Sequence, residues 1–392
     1  MNYPLFAVTV PGLEPFTQAE LMAFGIKSRL PQVKNNNLPG EPHEEAGGVE
    51  FVASLSDLYR ANLHLRTANR ILARLGDFYA AAFSELRKKA ARLPWELYLK
   101  PGQPVTLRVT CHKSRLYHSD AVAERIAGAI EDHFGKPVPV VKPGAANEHV
   151  KRDMLPRLVI VRLVHDQCTI SLDTSGELLH RRGYRLETAK APLRETLAAG
   201  LLLAAGWDAA APLIDPFCGS GTIPIEAALM ARRIAPGKNR HFAFMDWPGF
   251  DSTLWQTVYA EALAGEQPSP GIIQASDRDA GAIRMAQANA ERANVLADIQ
   301  FSCRAFSAIE PPAGTGWIVT NPPYGVRVIS PSHDLRDLYT ALGDVLRSLC
   351  PGWQTGILCA SDFLAGHTRL QFERSLPLVN GGLPVKFFVG RV

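Results

Sequence analysis

The fold is decided by one stretch of the sequence, Leu213-Ile-Asp-Pro-Phe-Cys-Gly-Ser-Gly-Thr-Ile-Pro-Ile-Glu226. Its apolar start predicts the end of a buried strand, its glycines predict a tight turn, and the run after Thr222 predicts a helix. Strand, Gly-rich turn and helix form the front half of a nucleotide-binding βαβ unit. Glycine lets the backbone approach a ligand closely, and the helix N-terminus offers free N–H groups to an anionic part of it. The spacing is neither that of a dinucleotide fingerprint nor that of a P-loop.

Two carboxylates flank this turn in the sequence. Asp215 precedes the glycines, where it can reach a cationic ligand; its alternative role is that of a turn or helix-capping carboxylate. Asp277 ends the next predicted strand, where a carboxylate accepts hydrogen bonds from ribose hydroxyls. Its alternative role is to cap the following helix, for which Asp279 is an equal candidate. The order of the motifs along the chain favours the ligand-binding role for both.

A second stretch, Trp317-Ile-Val-Thr-Asn-Pro-Pro-Tyr-Gly325, supplies the chemistry. An apolar strand again ends in a polar loop, and the two prolines stiffen that loop by fixing φ. It presents the Asn321 side-chain oxygen, the Pro322 carbonyl and the Tyr324 ring to a planar ligand. Alone, such a tetrapeptide is a simple turn about as often as not. Its position downstream of the Gly-rich turn, each after a predicted strand, makes the pair of motifs specific.

Together these stretches resemble the S-adenosylmethionine-dependent methyltransferases that modify exocyclic amines of nucleobases. The resemblance implies a Rossmann-like, doubly wound α/β domain that binds S-adenosylmethionine. In that family an acidic residue often follows the third strand and holds the adenine, but Phe301-Ser-Cys-Arg-Ala-Phe306 has none, which leaves the backbone or Ser302 for that contact. The resemblance assigns cofactor binding to Asp215, Phe217, Cys218, Gly219, Ser220, Gly221, Thr222, Asp277 and Ala305, and catalysis to Asn321, Pro322, Pro323 and Tyr324.

An exocyclic amine needs help to act as a nucleophile, because its lone pair is delocalised into the base. Hydrogen-bond acceptors on both of its hydrogens, Asn321 Oδ1 and the Pro322 carbonyl, favour a pyramidal nitrogen with a localised lone pair. This is stabilisation of developing charge by preorganised dipoles. Tyr324 is expected to stack on a base flipped into the pocket, a role that does not require its hydroxyl.

Composition bounds the class of protein. A chain of 392 residues predicts two or three domains, and 46% apolar with 20% charged residues is typical of a globular protein. The N-terminus does not resemble a signal peptide, and no apolar run approaches the length of a bilayer span. The six cysteines are scattered without a C-x-x-C pair, which argues against a disulfide framework or a metal site. We therefore predict a cytoplasmic protein that binds no metal.

The charge is unevenly distributed along the chain. Residues 1–190 hold 26 Lys+Arg against 20 Asp+Glu, a net +6, and residues 191–392 hold 16 against 18, a net −2, which sum to the +4 of the whole chain. A basic front half suggests a polyanionic partner, although charge alone favours a merely solvated basic face. The candidate contacts to nucleic acid are Arg87, Lys88, Lys89, Lys113, Arg115, Arg181, Arg182 and Arg185.

The front half alternates short strands and helices, which is typical of small α+β modules. Its pattern Asn62-Leu-His-Leu-Arg-Thr-Ala-Asn-Arg-Ile-Leu72 and the elements after it resemble the THUMP domain that precedes catalytic domains in RNA-modifying enzymes. The resemblance implies a ferredoxin-like element at residues 1–44, a THUMP RNA-binding domain at 45–165, a connector at 166–190 and the methyltransferase domain at 191–392. The aromatic insertion Pro236 to Gly249 is expected either to contact RNA bases or to pack onto the domain.

The connector indicates which family of methyltransferases the chain resembles. The basic segment Gly176 to Arg185, followed by Ala191-Pro-Leu-Arg-Glu-Thr-Leu-Ala198, resembles the bacterial guanine-N2 methyltransferases of 23S ribosomal RNA. For the connector itself, phosphate contact and a solvated linker are about equally favoured. A tRNA guanine-N2 methyltransferase and an N6-adenine DNA methylase share the catalytic tetrapeptide and stay open as alternatives. A non-catalytic RNA-binding assembly factor is the fourth, and the intact Asn321 to Tyr324 motif argues against it.

Overall fold

The computed structural model describes residues 2–31, 47–142, 155–186, 193–324 and 335–392. The two domain boundaries expected near residues 44 and 190 lie outside the described residues. Each half of the chain builds one seven-stranded sheet. All six cysteines are unpaired. Within the described ranges, no helix has both the length and the apolar character needed to cross a bilayer, and no group of three or more His, Cys, Asp or Glu side chains is arranged to hold a metal.

The first sheet runs through the front half in the order β2-β3-β1-β4-β7-β6-β5. Among the pairings of its described strands, β5–β6 is parallel and the others are antiparallel. The long strand β4 pairs with β1 on one side and β7 on the other, so it joins the ferredoxin-like part to the THUMP part. Strands β6 and β7 form a hairpin. Strand β7, which falls within the predicted connector at residues 166–190, belongs to this sheet. The strands are β1 (Tyr3–Thr9), β2 (Ser28–Arg29), β3 (Gly48–Ala53), β4 (Ala68–Tyr79), β5 (Val105–His112), β6 (Arg157–Val164) and β7 (Gln167–Asp173), and the helices are α1 (Glu14–Ala23), α2 (Leu55–His64), α3 (Phe83–Ala90) and α4 (Ser119–Phe134).

The second sheet confirms the predicted Rossmann-like fold. Its order is β10-β9-β8-β11-β12-β14-β13, and the pairings from β10 to β12 are parallel. Its strands are β8 (Leu213–Asp215), β9 (Ile273–Asp277), β10 (Ile299–Cys303), β11 (Trp317–Thr320), β12 (Gln354–Cys359), β13 (Gln371–Asn380) and β14 (Leu383–Arg391). Its helices are α5 (Glu195–Ala205), α6 (Thr222–Ala231), α7 (Ser252–Ala264), α8 (Ala280–Arg292), α9 (Leu335–Leu349) and α10 (Asp362–His367).

The antiparallel strands of this sheet have an order that periodicity alone does not predict. Strand β14 pairs with β12, and β13, the first strand of the hairpin, lies outside it at the edge. Between β10 and β11 the chain forms a short 3-10 turn at Phe306–Ala308. Periodicity identifies elements but not which neighbour each strand pairs with.

The two halves share an apolar core. Val10 and Leu13 of the front half are buried in the same cluster as Leu201 of α5 and Leu378 of β13. Helix α5 is buried on nearly every side because it packs between the second sheet and the front half. The insertion aromatics Phe242, Phe244 and Trp247 are buried as well, in the core of the first sheet. Their packing holds the insertion against the front half, so these rings are not available to stack on RNA bases.

Candidate active site

The Gly-rich turn lies at the carboxyl end of β8 and leads into α6. Gly219 and Gly221 have φ of +52° and +84°, a conformation that favours glycine. A Cβ on Gly221 would lie 2.9 Å from the Ala286 Cβ of α8, so only glycine allows this close packing. A Cβ on Gly219 would meet nothing within 4 Å. The backbone at Gly219 is therefore open to a ligand, as the sequence predicts for a cofactor cradle.

Asp215 ties the two predicted motifs together. Its Oδ1 accepts hydrogen bonds from the Phe217 N–H at 3.2 Å and from the Thr320 hydroxyl at 2.7 Å. Thr320 directly precedes the Asn321 loop. Burial raises the pKa of Asp215 to about 7, and the nearby Asp277 carboxylate adds to the rise. A cationic ligand such as a sulfonium would favour the ionised form of this buried carboxyl group.

Asp277 and Asp279 have separate roles. Asp279 caps α8, because its Oδ1 accepts the Gly281 N–H at 2.7 Å. Asp277 Oδ2 instead accepts the Gly219 N–H at 3.1 Å, and its Oδ1 accepts the Asp279 N–H at 2.9 Å. The capping role therefore belongs to Asp279. Asp277 stands at the tip of β9 against the Gly-rich turn, where ribose hydroxyls would be received.

Helix α8 supports the turn through a residue that the sequence did not reveal. Asn289, fully buried, donates from Nδ2 to the Ser220 carbonyl at 3.1 Å. Arg292, one turn further on, holds Asn289 Oδ1 at 2.6 Å and the Tyr184 carbonyl of the connector at 2.8 Å. The turn is thus braced from α8 and from the connector. A lone asparagine in an amphipathic helix carries no motif, so no sequence signal could have found it.

The end of β10 lies beside this turn. The rings of Phe217 and Phe306 stack with centroids 5.2 Å apart, and Ala305 between them and the strand is exposed. The segment after β10 carries Arg304, whose side chain pairs with Glu310 at 3.1 Å. A cavity of about 190 Å³ opens next to it. It is lined by β8, β9 and β10 and includes Ser302, the hydroxyl considered for the adenine.

The Asn321 loop presents an unused acceptor. Asn321 Oδ1 is buried and has no hydrogen-bond partner among the residues that the structure describes. Leaving a buried polar atom unpaired costs about 1–3 kcal/mol, so its retention fits a ligand that supplies a donor. Pro322 is buried, Pro323 is exposed, and Tyr324 is half-buried with its hydroxyl accepting a hydrogen bond from Asn380 Nδ2 at 2.8 Å. Asn380, from β13, was not predicted.

The candidate RNA contacts lie in several parts of the fold. Arg182 is buried, and Arg185 is part-buried with 10% of its side chain exposed. Arg182 donates to the Arg66 carbonyl at 2.6 Å, and Arg185 donates to Thr222 Oγ1 at 2.9 Å in the wall of the Gly-rich turn. The structure does not bring these two to a surface. The remaining candidates are on the surface of α3, on the turn after β5 and on the connector: Arg87, Lys88, Lys89, Lys113, Arg115 and Arg181.

The Rossmann-like sheet has an open Gly-rich turn after β8. A carboxylate placed to receive ribose hydroxyls ends β9, the neighbouring strand on one side, and an Asn-Pro-Pro-Tyr loop follows β11, the neighbouring strand on the other side. This arrangement defines the class of an S-adenosylmethionine-dependent methyltransferase. The residues fit that cofactor: the backbone cradle at Gly219 is open, and Asp215 is a buried carboxyl group suited to a cation. Residues 182–385 match the UPF0020 family, described as the RMKL-like methyltransferase domain. Residues 4–72 match the RlmL ferredoxin-like domain, and residues 80–173 match the THUMP domain. The chain belongs to this family of methyltransferases.

Individual relatives support this family assignment. The provisionally named RNA methyltransferase slr0064 of Synechocystis is 34% identical over 388 residues, which cover 97% of this chain and 94% of that protein. The ribosomal RNA large subunit methyltransferase K/L of Syntrophotalea carbinolica is 36% identical over 398 residues. That alignment covers 98% of this chain but 53% of the relative, so the chain spans about half the length of the K/L proteins. The crystal structure of SMU.472 complexed with SAH superposes with a TM-score of 0.86 at 28% identity, covering 100% of this chain and 99% of that one.

Proposed function

We propose that this protein transfers a methyl group from S-adenosylmethionine to the exocyclic N2 amine of a guanine in 23S ribosomal RNA. One observation carries the catalytic part: Asn321 Oδ1 is buried and has no hydrogen-bond partner among the described residues, in a proline-stiffened loop that is tied through Thr320 to the Gly-rich turn. The ribosomal substrate is supported by the names of the K/L relatives. The choice of guanine N2 is supported by the resemblance of the connector and the catalytic loop.

The loop can hold an amine through both of its hydrogens. Asn321 Oδ1 accepts one hydrogen and the Pro322 carbonyl accepts the other, which localises the nitrogen lone pair. When bound, S-adenosylmethionine supplies an electrophilic methyl group on a sulfonium sulfur. The nitrogen lone pair would form the new bond to the methyl carbon as the carbon–sulfur bond breaks and leaves its electron pair on the sulfur. The nitrogen would then be positively charged, and the two oxygens would stabilise that charge until a proton leaves to solvent. Tyr324 stacks on the flipped base and fixes its plane.

The rest of the site would hold the cofactor. Asp277 at the tip of β9 would accept the ribose hydroxyls, and the first N–H groups of α6 would receive the carboxylate of the methionine part. Asp215 would face positive charge with an ionised carboxylate. Arg185, bonded to Thr222 and 3.2 Å from Glu195, keeps the N-termini of α5 and α6 together at this end of the site.

Capture of the RNA falls to the front half and the connector. Of the predicted cations, those with exposed side chains can reach phosphate oxygens, and we propose Lys88, Lys113, Arg115 and Arg181 for this role. Arg182 and Arg185 are left out of it because their guanidinium groups are buried and bonded within the protein. A cytoplasmic location stays a prediction.

A labelled-methyl transfer assay tests the proposal. Purified protein and labelled S-adenosylmethionine are offered unmodified 23S rRNA, tRNA and double-stranded DNA in separate reactions, and the products are digested to nucleosides. N2-methylguanosine from 23S rRNA supports the proposal. The same nucleoside from tRNA alone would move the substrate to tRNA, and N6-methyladenine from DNA would overturn the role given to the front half. Cofactor binding without transfer to any substrate would favour a non-catalytic RNA-binding factor.

A further inference from the structure

The β13–β14 hairpin reaches the proposed substrate pocket. Its two-residue turn, Gly381 and Gly382, has positive φ at both positions, as the twist of a tight hairpin requires. Asn380, the last residue of β13, pairs with Leu383 across this turn. Its Nδ2 donates to the Tyr324 hydroxyl at 2.8 Å. Tyr324 is therefore held at its hydroxyl end by a residue 56 positions away in the chain.

This hairpin is itself fixed by packing. Leu378 and Val385 are buried in the cluster that also contains Val10 and Leu13 of the front half. Contact with the front half is so close that a Cβ on Gly12 would lie 2.5 Å from the Pro377 carbonyl oxygen. The end of β13 that leads to Asn380 is therefore packed against the front half, and this packing fixes the position of the Asn380 amide.

We propose that Asn380 is a positioning residue that orients the Tyr324 ring for stacking on the target base. This inference rests on the proposed function, which gives Tyr324 the stacking role. The Tyr324 side chain is half-buried and packs against two core clusters, so part of it stays accessible to a ligand. Stacking depends on the relative tilt and offset of the two rings, and methyl transfer requires the acceptor nitrogen at near-attack distance. A bond to the hydroxyl fixes both the tilt and the position of the ring.

A purely structural role would predict something different. If the hydrogen bond only stabilised the hairpin, its loss would lower stability and weaken the binding of every ligand together. If it positions Tyr324, its loss would act on substrate turnover and only in proteins that still carry the tyrosine hydroxyl. Removing one neutral hydrogen bond is expected to cost about 1 kcal/mol, which corresponds to roughly a fivefold loss of kcat/KM.

The test is a double-mutant cycle on the full chain with Tyr324→Phe, Asn380→Ala and the double variant. The readouts are kcat and KM for unmodified rRNA, affinity for S-adenosylhomocysteine, and affinity for the RNA. Each single change should lower kcat/KM roughly fivefold, and the double variant should be no worse than either. Asn380→Asp should restore most of the activity, because its carboxylate accepts a hydrogen bond from the Tyr324 hydroxyl. Ser375→Ala, an exposed change on the same strand, should leave kcat/KM unaltered.

Several outcomes would overturn the positioning role. They are additive losses in the double variant, an unchanged rate for Asn380→Ala, a failure of Asn380→Asp to restore activity, and a parallel loss of affinity for S-adenosylhomocysteine. The assay counts all labelled methyl groups transferred to the RNA, whichever atom accepts them. If the acceptor is not guanine N2, the proposed function changes, but the double-mutant cycle can still be interpreted. An inactive wild-type protein would overturn the proposed function and, with it, this inference, whereas an active wild-type protein with additive losses in the cycle would overturn this inference alone.

Discussion

Asn321 and Asp215 occupy neighbouring loops, but their side chains are in opposite states. Asp215 Oδ1 accepts two hydrogen bonds from within the protein, whereas Asn321 Oδ1 accepts none from the described residues. The carboxyl group is therefore part of the framework that fixes both loops, and the amide oxygen is left for a ligand. Substitutions at the two positions should consequently affect different properties, folding for Asp215 and turnover for Asn321.

Replacement of Asn321 by alanine should abolish most methyl transfer. The change removes one acceptor aimed at the amine, and losing one such preorganised group costs about 10²- to 10³-fold in rate. Affinities for RNA and for S-adenosylhomocysteine should be almost unchanged, because neither depends on this oxygen. Single-turnover transfer of labelled methyl, with filter binding and calorimetry on the same protein, measures all three. Equal losses of RNA affinity and rate would contradict the catalytic assignment.

Asp215 should make stability depend on pH. Its pKa is about 7 in the folded protein and about 4 in an unfolded chain, so between these values the folded state binds more protons. Raising the pH through this window should therefore lower the free energy of unfolding. Asp215→Asn keeps an acceptor for Phe217 and Thr320 but cannot ionise. In the absence of cofactor, the free energy of unfolding of Asp215→Asn should rise relative to that of the wild type by on the order of 1 kcal/mol or more between pH 5 and pH 8.

Chemical denaturation at pH 5 and pH 8 checks this prediction. Asp208→Asn is the matched control, because Asp208 is exposed and its pKa is lowered by the N–H groups of Ala211 and Ala210. That carboxylate is favoured by folding, so its replacement should give no gain at high pH. A difference between Asp215→Asn and the wild type that is the same at both pH values would show that Asp215 is already ionised in the folded protein.

At the scale of single residues, the sequence indicates the residues of the motifs but not the residues that hold them in place by hydrogen bonds. Asp215, the glycines and Asn321 lie in short patterns whose chemistry is readable, and the structure brings them to one edge of the sheet. Asn289 and Asn380 belong to no pattern, since their partners are 69 and 56 positions away. Arg182 and Arg185 show the converse. Their basic character suggested phosphate contact, but composition does not reveal that their guanidinium groups are buried.

Among the elements, α3 carries three of the candidate nucleic-acid contacts, Arg87, Lys88 and Lys89. Two of its three predicted cations are in ion pairs: Arg87 with Asp132 of α4 at 2.6 Å, and Lys89 with Glu85 one turn earlier. Lys88 and, just beyond the helix, Arg92 are exposed and have no ion-pair partner among the described residues. Phosphate contacts by this element should therefore come from Lys88 and Arg92.

Reversal of these two charges tests the helix. Lys88→Glu with Arg92→Glu should weaken RNA binding. It should also reduce the slope of log affinity against log salt by about 1 to 2, because binding releases fewer counterions from the RNA when phosphate contacts are lost. Arg284→Glu with Arg369→Glu, two exposed changes in the catalytic half, gives the same change of net charge and serves as the control. Binding measured at several salt concentrations decides the matter. If both proteins behave alike, this end of α3 is simply solvated.

Element types were more predictable than their neighbours in space. The hairpin around Gly381–Gly382 and the strand–turn–helix at the Gly-rich turn follow from local residues, and both are present. That β14, not β13, pairs with β12 depends on contacts between distant strands, for which the sequence has no local signal. The insertion aromatics show the same limit. Their rings are suited equally to RNA and to a core, and only the fold shows that they pack in the core.

The whole molecule depends on how the two halves meet. Leu13, just before α1, is fully buried and packs against α5 at Gly200. A Cβ on Gly200 would lie only 2.5 Å from Leu13 Cδ1, so the leucine occupies the space that the glycine leaves free. The front half is thus fitted onto a helix of the catalytic domain, and the same cluster supports the hairpin that holds Tyr324. Stability and site geometry should both respond to this contact.

The fit can be tested by exchanging volume across it. Leu13→Ala should cost about 2–5 kcal/mol through the cavity it leaves, and Gly200→Ala about 1–3 kcal/mol through overpacking, offset in part by helix propensity. In the double variant the new methyl group enters the space vacated by Leu13, so the loss should be smaller than the sum of the two. Free energies of unfolding from denaturant titrations give the coupling, and labelled-methyl transfer by the same proteins reports on the site. Strictly additive losses would mean that α5 and the front half do not pack together at this point in solution.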